Sequence, residues 1–200
     1  TDSGLQFKSQ QIITPKGLSK TNKLITVIPA PDETIVPLDD VGYLFSELKQ
    51  MNLILTNACN LACTYCYEQH GKDFGRFTPE SLLTAYRFLV NANQHQRKVF
   101  QFFGGEPLIH KKLITDFIRD NQDEIRENSK GEFNTVVGCV TNGLLLNQEL
   151  VDEYFSYDFT WMLISLDIDR ADGDHREIGQ AKIDKLMEQI RNIPELPKQQ

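Results

Sequence analysis

The chain has 200 residues, 40% of them hydrophobic and 24% charged, an ordinary globular balance with length enough to bury one core. Lys and Arg number 21 against 28 Asp and Glu, a net charge of −7, and no Lys/Arg run appears, so composition argues against a nucleic-acid or anionic-membrane surface. No apolar run approaches the roughly 20 residues that span a bilayer, and Thr1-Asp2-Ser3-Gly4 does not read as a secretory signal, although a trimmed start would hide one.

Residues 1–50 read as a small β-rich appendage with a connecting helix. Leu24-Ile25-Thr26-Val27-Ile28 is a strand candidate, punctuated by Pro29, Pro31 and Asp32, and Thr34-Ile35-Val36 is expected to pair back on it as a hairpin. Val41, Leu44, Phe45 and Leu48 then fall at helix spacing. Residues 51–200 read as the main domain. Asn52-Leu53-Ile54-Leu55-Thr56 is its first strand and empties into Cys59-Asn60-Leu61-Ala62-Cys63-Thr64-Tyr65-Cys66. Thr78-Pro79-Glu80 signals a helix start, with Thr78 as N-cap and Pro79 at the first helical position, followed by one apolar face of Leu82, Leu83, Tyr86, Leu89 and Val90. Lys98–Phe103 is the second strand, and Leu113, Ile114, Phe117, Ile118 and Ile125 mark one second helix. Thr135–Val140 is the third strand, and a third helix follows Asn147. Trp161–Leu166 is the fourth strand, and a last helix carries Ile183, Leu186, Met187 and Ile190 before Pro194.

Four strand–helix alternations with near-continuous apolar strands indicate a parallel α/β sheet. Each strand leads into an unusual loop. These are the cysteines, Gly104-Gly105-Glu106-Pro107, Thr141-Asn142-Gly143, and Ser165-Leu166-Asp167. Parallel sheets place active sites at the C-terminal strand ends, so the four loops should share one rim.

Three of the four cysteines crowd into eight residues, spaced C-x3-C-x2-C, which suits a metal and a reducing, cytoplasmic compartment better than a secreted disulfide framework. Three thiolates are one fewer than a cubane cluster has irons, which leaves an iron open to an outside ligand. Zinc is the chemical rival, with His70 as a fourth ligand, and free thiols are the plainest alternative. Two glycines let backbone come close to a ligand, and an exposed carbonyl or the Glu106 carboxylate can hold an amino group. Asn142 and Gly143 suit a turn as well as a ligand contact. Cys139, within an apolar strand, reads as a core thiol.

The string from Leu55 to Glu68, with Cys59, Cys63, Cys66 and the aromatic Tyr65, resembles the signature of the radical S-adenosylmethionine (SAM) superfamily, and its subgroup of anaerobic sulfatase-maturating enzymes and peptide maturases. Gly104-Gly105-Glu106-Pro107 resembles the GGEP motif of that family, and Thr141-Asn142-Gly143 and Ser165-Leu166-Asp167 resemble its third- and fourth-strand endings. The resemblance covers roughly residues 50–193. It implies a partial parallel (β/α) TIM-like barrel, of which about four of six units are visible. It implies a [4Fe-4S] cluster on Cys59, Cys63 and Cys66, with SAM chelated on the open iron. Reductive cleavage would give a 5′-deoxyadenosyl radical that abstracts hydrogen from a substrate, here a peptide or protein side chain. The implied SAM contacts are Tyr65, Gly104, Gly105, Glu106, Pro107, Asn142, Ser165, Asp167 and Arg176. An electron donor of flavodoxin or ferredoxin type is implied as partner.

Three positions depart from the pattern. Phe103 stands where a polar residue often precedes the glycines, Ile168 replaces a glycine, and Ile178 occupies the place of an expected arginine, which leaves Arg176 two residues earlier. With four units instead of six, the chain is expected to be a piece of a longer protein. Radical chemistry on a small molecule, and a non-catalytic iron–sulfur or zinc module, are the alternatives.

Overall fold

The structure, a computed structural model, describes residues 5–10, 24–29, 48–66, 77–92, 97–165 and 179–192. The strands are β1 (Leu5–Gln10), β2 (Leu24–Pro29), β3 (Gln50–Ile54), β4 (Lys98–Phe103), β5 (Thr135–Thr141) and β6 (Trp161–Ile164). The helices are α1 (Pro79–Ala92), a 3-10 turn (Pro107–His110), α2 (Lys111–Asp120), α3 (Gln122–Asn128), α4 (Gln148–Ser156) and α5 (Gln180–Asn192).

All six strands form one sheet in the order β1-β2-β3-β4-β5-β6. β1 runs antiparallel to β2, and every later neighbour is parallel. The order never reverses. Crossovers of one hand that always step in one direction leave their helices on one face, as in a barrel, whereas a doubly wound sheet reverses and carries helices on both. Packing agrees. Met51, Leu53, Phe100, Phe102, Val137 and Cys139 share one core with Tyr86 of α1, Phe117 of α2, Ile125 of α3 and Tyr154 of α4. This is the expected partial (β/α) barrel.

Alternation along the strands sends their other residues to the opposite face. There Asn52, Gln101, Gly138 and Trp161 stand side by side in register. Gln50 Nε2 donates to Asn52 Oδ1 at 2.9 Å and to Gln101 Oε1 at 3.2 Å. This face is therefore lined by amides, although its strands read as apolar runs.

The N-terminal segment differs from its expected form. Leu24–Pro29 pairs with β3 on one side and with Leu5–Gln10 on the other, so it extends the main sheet. The physical reason is the edge of β3, whose backbone N–H and C=O groups need a partner. Thr34, Ile35 and Val36 lie outside the described residues. The expected single second helix is also two helices. At Asn121 the backbone leaves helical geometry (φ −120°, ψ 20°), and the side-chain amide donates to the Phe117 carbonyl at 2.8 Å. A side chain that occupies a backbone acceptor competes with helix propagation.

Helix α1 begins as expected. Thr78 Oγ1 accepts from Ser81 N at 3.2 Å, and Ser81 Oγ accepts from Thr78 N at 2.9 Å, a reciprocal cap with serine in the place usually taken by Glu or Gln. At its far end the buried Lys98 ammonium donates to the Val90 carbonyl at 2.8 Å, satisfying an acceptor the helix leaves open. Among the described residues no helix is long and apolar enough to cross a membrane.

Candidate cofactor site

The β3–β4 ladder outlasts its strands. Leu55 N donates to the Phe103 carbonyl at 3.2 Å, Gly105 N to the Thr56 carbonyl at 2.8 Å, and Glu106 N to the Ala58 carbonyl at 2.9 Å. The start of the cysteine loop is thus zipped onto the Gly104-Gly105 loop. This contact explains both glycines. Gly104 has φ +127°, and a Cβ there would stand 2.4 Å from the Thr56 carbonyl oxygen. A Cβ on Gly105 would stand 2.4 Å from the Ala58 carbonyl oxygen and 2.6 Å from that of Asn57. The expected close approach of backbone exists, and the surface approached is the cysteine loop itself.

Glu106 is fully buried. Its Oε1 accepts from Thr141 Oγ1 at 2.7 Å and from Leu108 N at 3.0 Å, and its Oε2 accepts from Asn142 N at 2.8 Å. Burial pushes its pKa up from the ordinary carboxylate value, and these donors oppose the rise. The carboxylate braces the β4 loop against the end of β5. Pro107, buried, opens the 3-10 turn that Glu106 caps.

The brace continues into the cysteine loop. Asn142 Nδ2 donates to Asn60 Oδ1 at 2.7 Å and lies 3.7 Å from Cys59 Sγ. Asn142 Oδ1 accepts from Leu144 N at 3.0 Å, and Gly143 turns the chain at φ +80°. The expected turn is present, and the same asparagine also reaches the cysteine loop. The three rim loops are therefore one hydrogen-bonded assembly.

Cys59, Cys63 and Cys66 are all half-buried on this loop. Leu61 N donates to Cys59 Sγ at 3.4 Å, and Cys66 N to the Cys63 carbonyl at 3.1 Å. Leu61, Ile183, Leu144 and Met187 form an apolar cluster that packs against Cys59 and Cys63, so α5 walls the loop. Among the described residues no three His, Cys, Asp or Glu side chains gather as ligands of a single ion. A cubane does not ask for that convergence, because each thiolate binds a different iron. Three soft donors, an apolar wall and N–H groups aimed at sulfur fit such a cluster.

Other expected residues fall at the same rim or outside the described set. Ser165 continues the β5–β6 ladder, its N donating to the Thr141 carbonyl at 2.9 Å. Tyr65 is exposed. Phe103 ends β4, half-buried and in register with Ile54. His70, Asp167, Ile168, Arg176 and Ile178 lie outside the described residues. Cys139 is fully buried in the core, as expected, and burial, helped by the nearby Glu106 charge, pushes its pKa up. Sequence reasoning missed Asn60, which joins the two loops, and the amide row of Asn52 and Gln101. Two amides inside apolar strands were a readable signal for the row. Asn60 carried none, since its partner lies 82 residues away.

Comparison with known proteins places this geometry. Over 127 residues the chain is 32% identical to a probable GTP 3′,8-cyclase of Methanocaldococcus jannaschii, covering 60% of this chain and 37% of that protein. It is 26% identical over 176 residues to molybdenum cofactor biosynthesis protein 1 of Dictyostelium discoideum, covering 84% of this chain and 25% of that one. The chain thus spans well under half the length of these relatives. The structure of native anSMEcpe with bound AdoMet superposes with a TM-score of 0.53 over 72% of this chain and 40% of that one, at 18% identity, which supports the fold. The profile of the radical SAM superfamily, whose members use a [4Fe-4S] cluster and SAM, matches residues 53–197, and the chain belongs to that family.

Proposed function

We propose that this chain is the SAM-activating part of a radical SAM enzyme. The observation that carries the reading is the docking of the three-thiol loop, through backbone hydrogen bonds, onto Gly105 and Glu106 at the rim where Asn142 and Ser165 also sit. Cys59, Cys63 and Cys66 would hold the cluster. When bound, the cluster and SAM supply one-electron cleavage of the sulfonium and hydrogen abstraction from a substrate. The chain's own residues tie the loop to its neighbours and wall it with Leu61, Leu144, Ile183 and Met187. A low-potential electron donor of flavodoxin or ferredoxin type belongs to this reading.

Two substrate classes have separate support. The names of the two relatives describe small-molecule chemistry, over alignments that cover 60% and 84% of this chain, so a small molecule stands first. The string from Leu55 to Glu68 resembles peptide and protein maturases, which keeps a peptide side chain as the second reading.

The test is anaerobic reconstitution with iron and sulfide, followed by SAM and dithionite. The expected result is a brown protein absorbing near ~400 nm, as thiolate-bound clusters do, that yields 5′-deoxyadenosine. Cys63→Ala should lose the cluster. Stimulation of 5′-deoxyadenosine formation by nucleotides such as GTP, and not by cell-derived peptides, supports the first substrate class; the reverse supports the second. Uptake of zinc alone sinks the proposal.

A further inference from the structure

We propose that Asn142 sets the reduction potential of the cluster by directing one side-chain N–H at the Cys59 sulfur. The inference rests on the reading of Cys59, Cys63 and Cys66 as cluster ligands and goes beyond it.

The orientation of the Asn142 amide is settled by its neighbours. Leu144 N can only donate, and it points at one end of the amide from 3.0 Å, so that end is the oxygen. The NH2 group must then face the cysteine loop. It has two hydrogens and two acceptors, Asn60 Oδ1 at 2.7 Å and Cys59 Sγ at 3.7 Å, the longer distance suiting the larger sulfur atom. The Asn142 backbone is clamped as well, its N–H donating to the buried Glu106 carboxylate at 2.8 Å. An amide held at backbone, oxygen and nitrogen cannot swing away from the sulfur without breaking a bond elsewhere. Leu61 N, 3.4 Å from the same sulfur, is a second donor. Cys59 thus takes one N–H from its own loop and one from a residue 83 positions away.

The consequence follows from charge. Reduction adds an electron, and part of the added negative charge resides on the ligand sulfurs. N–H dipoles aimed at a sulfur stabilise the reduced form more than the oxidised one and raise the potential. Asn142 would make the cluster easier to reduce by a cellular one-electron donor. It acts through Cys59 and is a positioning residue.

The test compares the wild-type chain with Asn142→Asp and Asn142→Ala, each reconstituted anaerobically, by redox titration followed by electron paramagnetic resonance. Asp keeps the shape and the acceptor for Leu144 N and turns an oxygen toward Cys59 where the NH2 stood. The ratio of reduced to oxidised cluster at a fixed potential should fall about tenfold, a drop of about 59 mV in a one-electron couple. Ala should shift the midpoint in the same direction by less. Clusters that assemble in the variants with an unchanged or raised midpoint overturn the proposal. Loss of the cluster from both variants also overturns it and leaves Asn142 a structural role. A wild-type chain that takes up no cluster overturns the reading of the loop itself.

Discussion

Glu106 shows how a motif residue can tie neighbouring loops together. Its two oxygens already serve Thr141, Leu108 and Asn142. Glu106→Gln keeps the shape but replaces one acceptor by a donor facing a donor. A buried donor left unsatisfied costs about 1–3 kcal/mol, to be read from denaturant unfolding at neutral pH. The pH dependence has a definite sign. Burial raises the folded-state pKa above the unfolded one, so the native chain binds the proton more tightly. Stability from this group is greatest below the ordinary carboxylate pKa and falls as pH rises through the raised value. The wild-type advantage over Glu106→Gln should therefore shrink across that window; an advantage that widens would mean the hydrogen bonds outweigh burial. The cysteines separate at the same scale. Cys59, Cys63 and Cys66 are half-buried and Cys139 is fully buried with its pKa pushed up. A disulfide reagent should titrate three thiols in the native apoprotein and the fourth only on unfolding.

Among the elements, those encoded by neighbouring residues were the most legible. Thr78 and Pro79 mark the start of α1, and Asn147 caps α4 by accepting from Leu150 N at 2.8 Å. Thr78→Ala should cost about 1 kcal/mol in a denaturant midpoint, and Thr78→Ser little, because serine caps as well. Lys98–Phe103 reads as a strand because its apolar run is short and rich in aromatic residues. The break at Asn121 was not legible. The apolar spacing from Leu113 to Ile125 runs straight across it, and only the side-chain bond to the Phe117 carbonyl shows why the helix divides there. The two N-terminal strands were half legible. Leu24–Pro29 carries the apolar run of a strand, but its partners are Gln50–Leu53 and Leu5–Gln10, and no local pattern names them.

For the whole molecule, the monotonic strand order decides what each sheet face can do. One face is packed by helices around the ring cluster of Tyr86, Phe100, Phe102 and Phe117, with centroids 5.3 to 6.0 Å apart in the contacting pairs. The other carries the amide row of Asn52 and Gln101. Gly138 stands in that row because a Cβ would lie 2.3 Å from the Trp161 indole and 2.5 Å from the Trp161 carbonyl oxygen. Gly138→Ala should destabilise by about 2–3 kcal/mol through overpacking. For a chain of this size that is a Tm lower by roughly 4–12 °C in a thermal scan. Adding Trp161→Ala should restore only part of the loss, since removing the indole leaves the carbonyl contact in place.

The sequence by itself determined what neighbouring residues can encode: the thiol spacing, the strand and helix periods, the Thr78 helix cap, and the gathering of special loops at one rim. It also carried the family resemblance, since the cysteine loop and the GGEP loop are each contiguous. Tertiary structure decided which atoms meet. Only the fold shows that Gly104 and Gly105 make room for the cysteine loop, that Glu106 is a brace, and that Asn142 faces Cys59. The reason is physical. A period of 2 or 3.6 residues tells which face a side chain takes, whereas a partner 35 to 83 residues away is set by how the strands stack side by side.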